Sequence, residues 1–278
     1  MQSSHIKKLS FVAILSVAFS SLTHSADIAR ELRSNADKNS VPENFFEIGI
    51  NAGVGIGSSL TEEDGKGAGI GIHSSGSYNW NNFFIDVGMQ TSEPVVIGYN
   101  AYNSDNWTFD LMLGAGDSGI SEDTDDRFIG ITKRQSSTML GGRLTGYFGQ
   151  NILQVSLKHD VRGKSKGTVA SALIGRNWQA GDWNFHGLVG LTLADAKYND
   201  YYLGVSDGEA AITDFEAYEG KASVSFNSSV GVTYPISESW EFRATAHAGS
   251  NFGYNDSPLF SKKRDFYAAV ITSITYEF

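Results

Sequence analysis

The chain ends with the stretch Asp265-Phe-Tyr-Ala-Ala-Val-Ile-Thr-Ser-Ile-Thr-Tyr-Glu-Phe278. Counted back from Phe278, every second residue is apolar or aromatic except Thr272, and most of the polar residues lie between them. The side chains of a strand point to alternate faces, so one face of this stretch is apolar with aromatic residues at its ends. Strands of transmembrane β-barrels have this pattern, with lipid outside and a polar lumen inside. The stretch therefore predicts a barrel strand; the alternative is an ordinary amphipathic strand that ends a soluble chain.

The first 25 residues have the three regions of a secretory signal peptide. A basic start contains Lys7 and Lys8, an apolar run covers residues 9–19, and small or polar residues follow. This run is shorter than the roughly 20 apolar residues with which a helix spans a bilayer. We therefore predict a signal peptide at 1–25, cleaved after Ser25 or Ala26; the alternative is a retained membrane anchor.

The composition fits an exported protein that is rich in strands. The 278 residues include 31 glycines, 17 phenylalanines and 12 tyrosines but only 4 prolines. Mean hydropathy is −0.21, and no later apolar run approaches roughly 20 residues, which excludes a helical membrane protein. The chain has no cysteine, and a closed barrel needs no disulfide because neighbouring strands pair its backbone groups. The formal charge of −10 argues against a nucleic acid partner, since such binding depends on Lys and Arg.

From Phe45 onward the chain contains segments of about ten residues with alternating hydrophobicity, as transmembrane barrels do. The predicted strands are 45–56, 67–80, 82–90, 95–103, 107–116, 139–148, 152–162, 168–178, 183–193, 219–234, 240–249 and a last strand that ends the chain. Short links rich in Gly, Asn and Asp alternate with longer links, as periplasmic turns alternate with extracellular loops. Trp80, Trp107, Trp183 and Trp240 lie beside the short links and predict an aromatic girdle at the periplasmic interface.

This pattern predicts an all-β protein, a transmembrane antiparallel up-and-down β-barrel of about twelve strands over residues 44–278. A soluble β-sandwich is the alternative. Residues 26–43 are polar and mixed in charge, and we expect them to form a flexible periplasmic arm. Ile28 and Leu32 would give a short helix one apolar edge, so an ordered plug is the second interpretation of this arm.

The predicted lumen face carries charges of both signs. They are Glu47, Asp86, Asp110, Arg143, Lys158, Asp160, Arg162, Lys221, Glu241 and Arg243. An isolated buried charge is very costly, so these groups are expected to be paired or solvated. They could form the constriction of a selective channel or close the lumen with ion pairs. A barrel of about twelve strands lies between filled small barrels and open porins, and a narrow or plugged lumen is the favoured prediction.

Two other clusters of residues suggest chemistry, and neither has the pattern that the chemistry needs. The acidic run at 122–126 could bind a divalent ion shared with lipopolysaccharide, but it lacks the Gly and distal Glu of an EF-hand loop, so a solvated loop is favoured. His73, His159 and His186 could join serines in a hydrolase, but no Gly-x-Ser-x-Gly elbow flanks a candidate. We therefore predict no enzyme, no catalytic residue, no cofactor and no metal site.

Three stretches, in order and together with Tyr-Glu-Phe at the C-terminus, resemble the MipA/OmpV family of outer-membrane proteins. They are Arg134-Gln-Ser-Ser-Thr-Met139-Leu-Gly-Gly142, Tyr201-Tyr202-Leu-Gly204-Val205-Ser206 and Asp256-Ser257-Pro258-Leu259. The resemblance covers roughly residues 45–278 and is strongest after Arg134. We interpret Tyr201, Tyr202, Gly204 and the Ser257-Pro258 pair as family residues that order loops, through stacked aromatic rings and a fixed φ.

The resemblance implies a location in the bacterial outer membrane, with its lipid and lipopolysaccharide as surroundings. Tyr276 and Phe278 resemble the C-terminal signal for the barrel-assembly machinery. For some members the family implies a scaffold that joins a lytic murein transglycosylase to a bifunctional penicillin-binding protein. For others it implies a surface antigen, an adhesin or a pore. The favoured prediction is a scaffold or interaction protein without enzymatic activity; a narrow pore for small solutes and a surface adhesin or antigen are the alternatives.

Overall fold

The described residues lie mainly in the predicted barrel region, from residue 44 to the C-terminus. The computed structural model describes Ile28, Leu32 and residues 44–61, 64–88, 95–116, 119–252 and 255–278. The predicted signal peptide and most of the predicted arm lie outside these residues. In the described ranges, no helix is long and apolar enough to cross a membrane.

Twelve antiparallel strands of the described chain form one closed barrel. They are β1 Phe45–Ile56, β2 Lys66–Trp80, β3 Phe83–Gly88, β4 Val95–Asn103, β5 Trp107–Ala115, β6 Thr138–Phe148, β7 Asn151–Asp160, β8 Thr168–Ala180, β9 Trp183–Ala194, β10 Ser223–Pro235, β11 Trp240–Phe252 and β12 Phe266–Glu277. Each strand pairs with its neighbours in sequence, and β12 pairs with β1. The predicted fold class is confirmed.

The seam between β1 and β12 closes the barrel. Its register aligns Ile50 with Ile274 and Val54 with Val270. The chain end extends the seam by one more bond, because the N–H of Phe278 donates to the carbonyl of Phe46 at 3.0 Å. Closure satisfies the backbone groups that an open edge would leave unpaired in hydrocarbon.

The two faces of each strand have the reverse of the polarity found in soluble proteins. On β1, Ile50 and Val54 are 61% and 57% exposed, whereas Glu47 and Asn51 are 1% and 5% exposed. A soluble barrel would place its apolar side chains inside and its charges outside. An outer surface built from exposed aliphatic and aromatic side chains along the strands requires lipid around it. The soluble alternative is therefore wrong.

Aromatic rings form a belt around the periplasmic ends of the strands. Ring centroids lie 4.7 to 5.6 Å apart in the pairs Trp183–Tyr234, Trp240–Tyr276, Tyr276–Phe278, Phe46–Phe278 and Trp107–Phe148. Four of these contacts join neighbouring strands, and the Tyr276–Phe278 contact lies at the end of the last strand. Paired rings of this kind suit the membrane interface, where one end of the ring is apolar and the other wet.

β8 and β11 end two and three residues later than predicted, at Ala180 and Phe252. Two other predicted strands reach too far into the loops, because side chains of the loops take over the hydrogen bonding there. The seventh strand stops at Asp160, whose carboxylate accepts the backbone N–H groups of Arg162, Ser165 and Lys166. The tenth strand begins at Ser223 and not at residue 219. Before it, the carbonyl of Lys221 accepts a bond from Asn199 at 2.6 Å.

The link between β9 and β10 contains two short helices that were not predicted. Helix α1 covers Ala196–Leu203, and the side chain of Asp195 caps its N-terminus. Helix α2 is the single turn Asp207–Ala210, and Ser206 and Glu209 form its capping box. The sequence contains the Ser-x-x-Glu capping signal, but the apolar run that normally follows this signal is too short to predict a helix.

Deletion of Phe278 should prevent assembly of the barrel. It removes a ladder bond and the ring contacts with Phe46 and Tyr276 at the closing seam. We expect little folded protein in the outer membrane and a degraded periplasmic pool, measured by membrane fractionation and by the mobility difference between unheated and boiled samples.

The matched control is Glu277→Gln, which changes a lumen-side charge one residue away and should assemble almost normally. Equal assembly of the two variants would show that the side-chain parity assigned to β12 is wrong.

Candidate functional site in the barrel lumen and its extracellular cap

One wall of the lumen carries an ionic network centred on Glu47. Arg243 of β11 donates to both carboxylate oxygens of Glu47 on β1, at 2.6 and 3.0 Å. The guanidinium also pairs with Glu241, and Ser75 of β2 donates its hydroxyl to Glu47. The network therefore joins β11 to β1 and β2 across β12, on the lumen side of the closing seam.

The opposite wall carries a second network. Arg143 of β6 pairs with Asp110 of β5 at 2.9 Å, and Asn100 of β4 donates to the same carboxylate at 2.8 Å. The guanidinium also lies 5.5 Å from the ring centroid of Phe84 on β3, a cation–π contact. Four consecutive strands are thus connected inside the lumen through Arg143 and Asp110.

The other predicted lumen charges fall into different places. Asp86 faces inward and accepts a bond from Ser77 at 2.6 Å, and Lys158 is a buried inward residue of β7. Asp160 is buried but holds the loop after β7. Arg162 and Lys221 lie in extracellular loops and are exposed, so their assignment to the lumen is wrong; the two strands end before reaching them.

Bulky inward side chains lie flat against the wall. A Cβ atom on Gly98 would come within 1.9 Å of the ring of Phe84, and one on Gly231 within 2.3 Å of the ring of His186. These glycines therefore provide the space in which neighbouring rings lie parallel to the sheet. Sequence analysis missed this pairing, because it depends on the register between strands.

The three histidines of the hydrolase hypothesis do not share a site. His73 contacts Asn51 and Thr275 in the lumen, at 3.5 and 3.3 Å. His159 is an exposed residue that contacts Thr168 at 2.9 Å. Within the described ranges, no three His, Asp or Glu side chains are grouped so that they could hold a metal ion.

The extracellular loops fold into a cap with its own apolar core. One cluster contains Met139, Val169, Tyr198, Tyr202, Leu203 and Phe260, and a second contains Ile120, Phe128, Ile131, Val205 and Leu259. Met139 and Val169 are inward residues at the extracellular ends of β6 and β8. The cap therefore packs into the mouth of the barrel on that side and narrows it.

The tyrosines of the family motif connect α1 to the loop that precedes β6. The hydroxyl of Tyr202 accepts the N–H of Ser137 at 2.9 Å, and the hydroxyl of Tyr201 accepts the N–H of Gln135 at 2.7 Å. The two tyrosine rings lie 4.9 Å apart. These two hydrogen bonds connect the loop before β6 with the link between β9 and β10, which are far apart in the sequence.

The other motif residues lie in the same part of the cap. Ser257 is fully buried and donates its hydroxyl to the carbonyl of Leu203 at 2.7 Å. Pro258 lies between this serine and the buried Leu259. The carbonyl of Gly204 accepts a bond from Arg134 at 3.0 Å. The three motifs therefore meet in space at the cap.

An ion pair between Arg134 and Glu209 lies at the centre of the cap. The two groups are 3.1 Å apart, with side chains 12% and 7% exposed. Burial alone would raise the pKa of the Glu209 carboxyl, but bonds from the N–H groups of Ser206 and Thr132 and from Arg134 lower that pKa to about 2. Glu209 is therefore charged at any pH that the outer membrane normally meets.

The acidic run at 122–126 is solvated. Asp125 caps a 3₁₀ turn at Asp126–Phe128 by accepting the N–H of Arg127 at 2.9 Å. Asp123 lies 3.7 Å from Lys133, and both side chains are largely exposed. Nothing in this geometry favours a divalent-ion site over an ordinary loop.

The family follows from the sequence of the barrel and its loops. The sequence matches the family described as MltA-interacting protein MipA over residues 50–278. The chain belongs to this family. The match includes the three motifs that meet in the cap.

Named relatives of this MipA-family protein are outer-membrane proteins. Omp26La of Vibrio anguillarum is 25% identical over 152 residues, which cover 54% of this chain and 59% of the relative. OmpV of Vibrio cholerae is 27% identical over 131 residues, 46% of this chain and 51% of the relative. Putative outer membrane protein YiaT of Escherichia coli K12 is 22% identical over 209 residues, 73% of this chain and 80% of the relative. The match thus spans little more than half the length of the first two relatives.

Solved structures share the strand arrangement weakly. The NanC porin has a TM-score of 0.46 and 10% identity, over 82% of this chain and 98% of that chain. An anion-selective porin from Comamonas acidovorans has a TM-score of 0.39 and 8% identity, over 84% and 98%. No property of this lumen follows from such low scores. The named relatives are outer-membrane proteins, and the wall of this closed barrel faces lipid. This MipA-family chain is therefore an outer-membrane β-barrel.

Replacing Glu47 with Ala in this MipA-family barrel should lower its free energy of unfolding by about 3 kcal/mol. Arg243 would keep Glu241 but lose the buried partner that connects it to β1, and breaking a buried pair is strongly destabilising. The measurement is a urea titration of protein folded into lipid vesicles, followed by tryptophan fluorescence.

The matched control is Asp123→Ala, which breaks an exposed pair with Lys133 and should leave the midpoint unchanged. An equal loss in both variants, or none in Glu47→Ala, would contradict the structural role of the lumen network.

Proposed function

We propose that this barrel is a non-enzymatic scaffold of the cell envelope, which binds a murein hydrolase at its periplasmic face. The description of its family as MltA-interacting supports a murein hydrolase as the partner. A penicillin-binding protein would join the same assembly, as the family resemblance implies. The barrel itself acts as the membrane anchor.

The observation that carries this proposal is the folded cap. Its loops bury two apolar clusters and the Arg134–Glu209 pair, and they pack onto Met139 and Val169 in the mouth. A general porin needs a wide aqueous opening, whereas a packed core narrows this mouth on one side. A barrel narrowed in this way is better suited to hold partners than to pass bulk solutes.

The periplasmic turns offer a surface of one charge. The five turns cover 81–82, 104–106, 149–150, 181–182 and 236–239 and contain no Lys or Arg. Asp105, Asp182 and Glu238 are exposed in three of them. Such a face attracts a basic surface of a partner and speeds its association.

The test is binding of a purified lytic murein transglycosylase to the detergent-solubilised full chain. The triple variant Asp105→Asn, Asp182→Asn and Glu238→Gln should weaken binding by about tenfold at moderate salt, because it removes the periplasmic charges. High salt should weaken the wild-type complex in the same way.

The matched control carries Asp214→Asn, Glu216→Gln and Glu219→Gln, which remove three exposed carboxylates on the extracellular side. It should bind like the wild type. The proposal fails if the wild type does not bind the transglycosylase, or if both triple variants lose affinity equally.

A narrow passage for small polar solutes is the second candidate, and the two lumen networks favour it. Glu47 with Arg243 and Asp110 with Arg143 place a paired acid and base on each of two facing walls, and charged side chains of this kind line selective constrictions. A steady wild-type conductance in planar bilayers, altered by Arg143→Gln, would favour this candidate over the scaffold.

A further inference from the structure

Two residues from the N-terminal segment lie inside the barrel. Ile28 and Leu32 are helical and fully buried, although residues 26–43 were predicted to form a periplasmic arm. They pack with Ile152, Leu173 and Leu188, inward residues of β7, β8 and β9, and with the inward Tyr147 of β6 beside them. An ordered plug is the second interpretation of the stretch to which these two residues belong. We call the apolar patch formed by these four lumen side chains the lumen seat.

The lumen seat fits its occupant closely. Ile28 and Leu32 are four residues apart, so they lie on one face of a helix and enter the seat together. The Leu32 side chain lies over Gly175, where an added Cβ would come within 2.3 Å of the leucine Cδ1. Asn184 donates its side-chain amide to the carbonyl of Leu32 at 3.1 Å. Both apolar and polar groups of the wall are therefore shaped to this segment.

The lumen seat lies on the wall opposite β1, which is the strand that follows the N-terminal segment in the sequence. In the closed order, β7 is six strands from β1 in either direction. Leu32 precedes Asn44 by twelve residues, yet it packs against the wall opposite β1. Ile152 and Asn184 are each the second residue of a strand that starts at a periplasmic turn. The occupied seat thus lies in the periplasmic half of the lumen.

The lumen wall carries a second apolar cluster, formed by Phe84, Val96 and Met112, so the lumen seat is distinguished by the segment that covers it. The nearest polar side chains at inward positions beside Leu173 on β8 and Leu188 on β9 are Ser171 and His186. Water in an open lumen would contact Leu173 and Leu188, which are 1% and 4% exposed when the segment is seated. Leu173 and Leu188 stay shielded from water only while an apolar group covers them.

We propose that the segment carrying Ile28 and Leu32 is a resident plug, and that its seating keeps the periplasmic half of the lumen closed. The seat is an intramolecular binding site for the side chains of Ile28 and Leu32. When the segment leaves, the lumen fills with water and small ions can pass. This inference goes beyond the proposed scaffold function and does not depend on hydrolase binding.

The first test uses the absence of natural cysteines. The full chain with Leu173→Cys carries one thiol beneath the plug, and a small charged methanethiosulfonate reagent should label it slowly. Adding Ile28→Ser and Leu32→Ser should raise the labelling rate at least tenfold. A synthetic peptide of residues 26–43 should restore protection, and the same peptide with both serine changes should not.

The matched control is Ile236→Ser, which shortens an exposed apolar side chain in a periplasmic turn and should leave labelling unchanged. All variants must keep the gel mobility of the folded barrel when unheated. The second test is conductance in planar bilayers, which should be absent or low for the wild type and higher for the Ile28→Ser, Leu32→Ser variant.

Three results would overturn the proposal. Unchanged labelling of the double-serine variant would show that the segment does not shield the seat. Equal protection by both peptides would show that Ile28 and Leu32 are not the recognition residues. Faster labelling without higher conductance would show that the segment binds in the lumen but does not close it.

Discussion

Every backbone N–H and C=O group in the hydrocarbon layer must be paired within the chain, and closure of the barrel meets that constraint. The closing seam is the position where it is hardest to meet, because β1 and β12 lie at opposite ends of the sequence. Three kinds of contact hold this seam. The strand ladder pairs the backbones, Glu47 and Arg243 connect β1 to β11 across β12 inside the lumen, and Phe46 and Phe278 pack on the lipid side.

The same wall separates three environments, and each selects different side chains. Lipid accepts the exposed aliphatic residues, and the lumen holds ion pairs and rings that lie over glycines. The cap is the third environment, since its loops fold as a small water-soluble core with buried Phe128 and Leu259. Its central ion pair, Arg134 with Glu209, keeps its charges because backbone and side-chain donors replace the lost water.

The strands could be predicted from the sequence because lipid and lumen impose a period of two on each of them. The ends of β1 and β4 were predicted correctly, whereas β10 begins four residues later than predicted because Asn199 bonds the loop before it. The lumen networks depend on register between distant segments, as Glu47 and Arg243 are 196 positions apart. Helix α1, the cap core and the seating of Leu32 could not be predicted from hydrophobic periodicity either, because they also depend on contacts between segments that are far apart in sequence.

The account depends most on the pairing of β1 with β12, and the absence of cysteine allows a direct measurement. A chain with Val54→Cys and Val270→Cys, which face each other across the seam, should form a disulfide in outer membranes and give a cyclised species on a denaturing, non-reducing gel. Val54→Cys with Thr272→Cys, two positions out of register, should not, because its Cα atoms are too far apart. Failure of the first pair to cross-link in folded protein, or equal cross-linking of both, would contradict the closed barrel and its register.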